Sequence, residues 1–116
     1  MSKLNLMAAA MILALSTPAF AADAMTKDQV KAERDRIASE LKANKEKCNG
    51  LKGNAKDICM AEAQGQEKVS KAELAAKQND TPKNRYDVAA AKADMQYRVA
   101  KEKCDDMKGD AKKTCE

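Results

Sequence analysis

The chain has 116 residues, 34% of them charged and 3% aromatic, with no histidine, no tryptophan and a formal net charge of +4. The lack of histidine excludes a conventional nucleophile–histidine triad and any zinc site built on imidazole. Cations and anions alternate without a basic block, and aromatics for base stacking are scarce, so nucleic acid is not an expected partner.

Residues 1–21 read as a secretory signal peptide. One early cation, Lys3, precedes a run from Leu4 to Leu15 that is apolar apart from Asn5, and Ala19-Phe20-Ala21 supplies a small-residue cleavage site. The apolar run falls short of the roughly 20 residues that span a bilayer, so no stable membrane insertion is expected once the signal is removed. No cysteine follows the cleavage site, and no lipid anchor is therefore indicated. A short, simple signal points to a bacterial periplasm, with full secretion as the alternative. Loss of Lys3 takes Lys+Arg from 22 to 21 against 18 Asp+Glu, for a mature charge of +3.

The first helix is predicted from Thr26. Thr26 and Gln29, three residues apart, form a capping box, and Met25 can pack on Val30 as a hydrophobic staple. Val30, Ile37, Leu41 and Cys48 follow at spacings of seven, four and seven, a narrow stripe like a coiled-coil seam. Gly53 is expected to stop this helix in the left-handed conformation. A second helix is expected from Asn54, as its cap, with Asp57 in its first turn, through Val69 and Leu74 to about Lys77. Gly65 in its middle is expected to cost about 1 kcal/mol relative to alanine.

Thr81-Pro82 starts a third helix, because proline at the first helical position loses no hydrogen bond. It carries Tyr86, Met95, Tyr97, Val99 and Cys104 and is expected to stop near Met107, with Asp110 capping a final stub of little more than one turn. Short turns make the three long helices run up, down, up. The expected organisation is thus all-α and elongated: a signal at 1–21, a first helical hairpin unit at 22–80, and a second, truncated unit at 81–116.

The four cysteines lie in two near copies, Lys45 to Cys59 and Lys101 to Cys115, identical at nine of fifteen aligned positions. Four cysteines allow three connectivities. Repetition of the whole unit favours closure within each copy, Cys48–Cys59 and Cys104–Cys115, and antiparallel helices joined by a tight turn bring facing Cα atoms within disulfide range. Ten intervening residues do not suit a zinc site, and no C-x-x-C opens a βαβ unit, so neither a metal centre nor a dithiol oxidoreductase is expected. Met60, Met95 and Met107 are scattered and read as gap-fillers at helix contacts rather than soft-metal ligands. No catalytic residue, metal ligand or cofactor site is predicted, and the chain is not expected to be an enzyme.

The segment 45–59, the later Asn84-Arg85-Tyr86 and the second cysteine unit resemble a group of small, uncharacterised, alanine- and lysine-rich helical proteins secreted to the periplasm of beta-proteobacteria, which carry paired Cys-x10-Cys hairpins. The resemblance covers essentially the whole mature chain. It implies a periplasmic helical protein and supplies no active site. The function expected from the residues is a non-enzymatic structural or protein-interaction module that binds an envelope protein or self-associates. The alternative is an envelope-stress holdase or thiol–disulfide switch.

Overall fold

The computed structural model describes residues 24–116, and the expected signal peptide lies outside them. Four helices follow one another: α1 (Lys27–Asn49), α2 (Gly53–Gln78), α3 (Pro82–Asp105) and α4 (Gly109–Cys115). The chain is all-α over the described residues. At about 1.5 Å per residue the three long helices are rods of roughly 35–39 Å, joined by links of three residues.

α1 begins as its sequence predicts. The Gln29 backbone N–H donates to Thr26 Oγ1 at 3.2 Å, and the Thr26 N–H donates to Gln29 Oε1 at 2.9 Å, closing the capping box. Met25 packs on a cluster of Val30, Ile37 and Leu74, which pins the start of α1 to the end of α2. Leu41, expected on the same stripe, is only half-buried.

The first turn differs from the expectation in two respects. α1 stops at Asn49 and is capped by Gly50 in a right-handed conformation, not by Gly53. Gly53 does adopt a left-handed φ of +60°, but as the opening residue of α2. Asn54 does not cap: α2 has no side-chain cap bond, and Asn54 Nδ2 is buried without a hydrogen-bond partner. A three-residue link must reverse the chain within the span set by the Cys48–Cys59 bridge, and one left-handed residue completes that reversal at the first position of α2. A Cβ at Gly53 would meet nothing within 4 Å, so this glycine serves backbone conformation rather than packing.

The second cysteine turn repeats this geometry. Gly109 has φ +62°, α3 ends at Asp105 rather than Met107, and the N–H of Met107 bonds the Cys104 carbonyl at 2.9 Å, as that of Leu51 bonds the Cys48 carbonyl at 3.0 Å. Asp110 sits in the first turn of α4 instead of capping it, and α4 is longer than one turn, with seven residues.

The turn between α2 and α3 is held by a residue whose role the sequence did not reveal. Thr81 caps α3, accepting from the Asn84 N–H at 3.0 Å, with Pro82 at the first helical position as expected. Asn84 also turns its side chain back to α2, where Nδ2 donates to the Asn79 carbonyl at 2.7 Å and the Ala75 carbonyl at 3.3 Å. These carbonyls already accept the backbone N–H groups of Thr81 and Asn79, each at 3.0 Å, so the amide is a second donor that ties α3 to the end of α2. Replacing Asn84 with alanine is expected to cost about 1–2 kcal/mol. A shift of the thermal midpoint with unchanged helical content at low temperature is the expected signature.

α2 is the central helix, with α1 on one side and α3 on the other, and α1 and α3 do not pack on each other. Gly65 meets Met95 while Ala75 meets Asn84, so α2 and α3 are antiparallel, as are α1 and α2 across the bridge. Lys68–Asp94 at 3.4 Å and Lys92–Glu73 at 3.0 Å cross between α2 and α3. The result is an up-down-up array in which α1 and α3 both pack on α2 and not on each other. Its core is a seam of Val30, Ile37, Ala63, Val69, Leu74 and the two buried cysteines, Cys48 and Cys104.

Candidate functional site

The cystine end gathers the conspicuous chemistry of the chain. Cys48–Cys59 and Cys104–Cys115 are both formed, with Cα–Cα distances of 5.5 and 5.6 Å, and among the described residues no cysteine is free. Because α1 and α3 both run toward this end, the two bridges lie at the same end of the array. The two tips also display matching apolar residues, Leu51 and Met107, both exposed.

The bridges differ in access. Cys48 is fully buried and Cys59 half-buried, whereas Cys104 is buried and Cys115 exposed. The first bridge lies between two long helices. The second ties a long helix to one of seven residues.

Since α1 and α3 are separated by α2, an open groove runs between them over the central helix. Its volume is about 690 Å³, within the range of small ligand sites, but it lies open along its length. Ala63, Met95, Val99 and the Cys48–Cys59 bridge make its apolar lining, with Gln66 and Lys103 among its polar groups.

The carboxyl of Glu33 is held below the usual range by its hydrogen bond to Arg36, and the same contact raises the guanidinium. That pair is on the surface of α1, where Arg36 lies between Glu33, at 2.5 Å, and Glu40, outside the groove lining. It is a helix-stabilising i,i+3 and i,i+4 arrangement. Among the described residues no three His, Cys, Asp or Glu side chains converge as metal ligands, and no helix is long and apolar enough to cross a membrane.

The sequence anticipated all four bridging cysteines and their pairing. It did not anticipate the groove, because the separation of α1 from α3 is set by which faces of α2 they occupy. The spacing of Gly65 and Met95 on their helices was a usable signal for that contact only once the antiparallel register was known. No protein-family model matches this chain, and no curated protein or solved structure is significantly similar to it.

Proposed function

We propose that the chain is an exported, non-enzymatic helical module that binds another protein of the cell envelope. The observation that carries this reading is the open groove between α1 and α3, apolar along Ala63, Met95 and Val99 and backed by a disulfide that ties α1 to α2. Two bridges in a chain of this size belong to an oxidising compartment, and with the signal-like residues 1–21 they support the periplasm as the site of action.

A photo-crosslinking residue at Gln66, in intact cells, tests it. The expected result is one discrete covalent adduct, lost when Gln96→Arg, at an exposed position of the groove wall, fills the groove with charge. Absence of any adduct, or adducts indifferent to Gln96→Arg, overturns the reading.

The exposure of Cys115 supports a second reading, a holdase or switch that opens on reduction. In that case adducts form with many unfolded clients, and only after a reductant opens the second bridge.

A further inference from the structure

The two cysteine turns, offset by 56 residues from Cys48 to Cys104, share one backbone but not one chemistry. Gly50, Lys52 and Gly53 have φ of −75°, −132° and +60°, and the corresponding Asp106, Lys108 and Gly109 have −77°, −131° and +62°. Asp106 shows that a residue with a side chain takes the conformation of Gly50. A Cβ on Gly50 would stand 3.5 Å from the Lys47 carbonyl oxygen, an ordinary contact. Neither backbone nor packing therefore requires glycine at position 50. What the glycine does change is the reactivity of Asn49 before it, because a nitrogen flanked by no side chain reaches the neighbouring amide without hindrance.

Asn49 is the last residue of α1, and both it and Gly50 are exposed. The Gly50 N–H meets the Lys47 carbonyl at 3.3 Å, at the long end of amide hydrogen bonds, in a helix end that frays readily. The other described asparagines are placed less favourably. Asn84 commits its side-chain amide to two carbonyls, Asn54 Nδ2 is buried and Asn44 lies inside α1. Asn79 is followed by Asp80, whose own side chain flanks the attacking nitrogen.

We propose that Asn49–Gly50 is a self-modification site, at which the Asn49 amide is converted to a carboxylate in the folded, oxidised protein. The Gly50 nitrogen attacks Asn49 Cγ, the N–Cγ bond forms as the Cγ–Nδ2 bond breaks, and Nδ2 leaves as ammonia with the Gly50 proton. Water then opens the five-membered imide. Opening at Cγ restores the main chain and leaves an aspartyl side chain, whereas opening at the main-chain carbonyl routes the chain through Cγ as an isoaspartyl link. No atom is oxidised or reduced.

The second turn shows how the aspartyl product is accommodated. Asp105 occupies the position of Asn49 and pairs with Lys112 at 3.5 Å. Lys112 corresponds to Lys56, and both lysines are half-buried. Deamidation thus gives the first turn the carboxylate–lysine pair that the second already has, and the lysine offsets the repulsion of an anion at the C-terminal end of α1. The isoaspartyl product instead inserts one more main-chain atom into a link spanned by the Cys48–Cys59 bridge.

The test is incubation of the mature chain, both bridges intact, in mildly alkaline water enriched in heavy oxygen, followed by peptide mapping without reduction. Heavy oxygen is expected to enter residue 49 at least tenfold faster than any other described asparagine, in aspartyl and isoaspartyl forms. Gly50→Ala is expected to slow it at least tenfold with an unchanged thermal melt. Opening Cys48–Cys59 with paired serines is expected to accelerate the conversion, since the bridge holds the link closed, and opening Cys104–Cys115 to leave it unchanged. No conversion at position 49 of the oxidised protein, a faster reaction at Asn79, or a rate indifferent to Gly50→Ala overturns the proposal. For the product, Asn49→Asp is expected to keep the thermal midpoint of the parent, and its new carboxyl to titrate lower than in the same protein with Lys56→Gln. Equal titration in the two overturns the assigned pairing.

Discussion

Replacing Cys48 and Cys59 together with serine is expected to destabilise the protein by about 3 kcal/mol in the chain-entropy description of a loop this short. The same change at Cys104 and Cys115 is expected to cost clearly less. Both bridges close loops of the same sequence separation, 11 residues, so the denatured-state effect is common to them. The difference arises in the folded state. Cys48 is fully buried, and its bridge joins helices of 23 and 26 residues, so opening it loosens a seam that runs as far as Leu74. Serine there also leaves a hydroxyl in an apolar setting. Cys115 is exposed on a helix of seven residues, where fraying already weakens what the bridge constrains. Thermal melts of the two double variants, with peptide mapping of the unreduced protein, measure both halves. Equal losses, or a Cys48–Cys104 linkage, contradict this account.

Replacing Gly65 with leucine is expected to cost about 2–3 kcal/mol and to act on the contact between α2 and α3. From the sequence, a glycine in mid-helix is a weakness, and a larger residue there improves helix propensity by about 1 kcal/mol or less. The structure reverses the sign. Gly65 is buried, and a Cβ placed on it stands 2.8 Å from Met95 Cβ and closer still to Met95 Cγ. The methionine side chain can swing away, but its Cβ is fixed to the α3 backbone, so even alanine requires the helices to separate. Separation stretches the Lys68–Asp94 and Lys92–Glu73 pairs and unseats Val69. Chemical denaturation of Gly65→Ala and Gly65→Leu, with and without Met95→Gly, resolves the origin. The loss is expected to grow from alanine to leucine and to shrink when Met95 is removed. A stabilised Gly65→Ala protein rejects the close-approach explanation.

Local chemistry was legible in the residues themselves. The Thr26–Gln29 capping box and the Thr81–Pro82 start each depend on groups a few residues apart, and each stands where the sequence places it. The pairing of cysteines followed because the two copies impose the same short loop. Boundaries at the cysteine turns were less legible. Gly50 and Gly53 are both competent to end a helix, and the choice between them rests on how the bridge and the link reverse the chain together.

Tertiary structure alone decided the rest, and the reason is the same in each case: it depends on the angular placement of helices around α2. Tyr86 and Tyr97 are among the few large apolar side chains of the chain, and composition alone places such residues inside. They point outward because α3 uses the Val88–Met95–Val99 side against α2. Gly65 is a packing residue only because α3 brings Met95 opposite it. The groove exists because α1 and α3 take different sides of α2. Sequence by itself determined the helices, the Thr26 and Thr81 caps and the bridges, which are settled by neighbours along the chain. Which faces are covered and which are exposed was settled by neighbours across it.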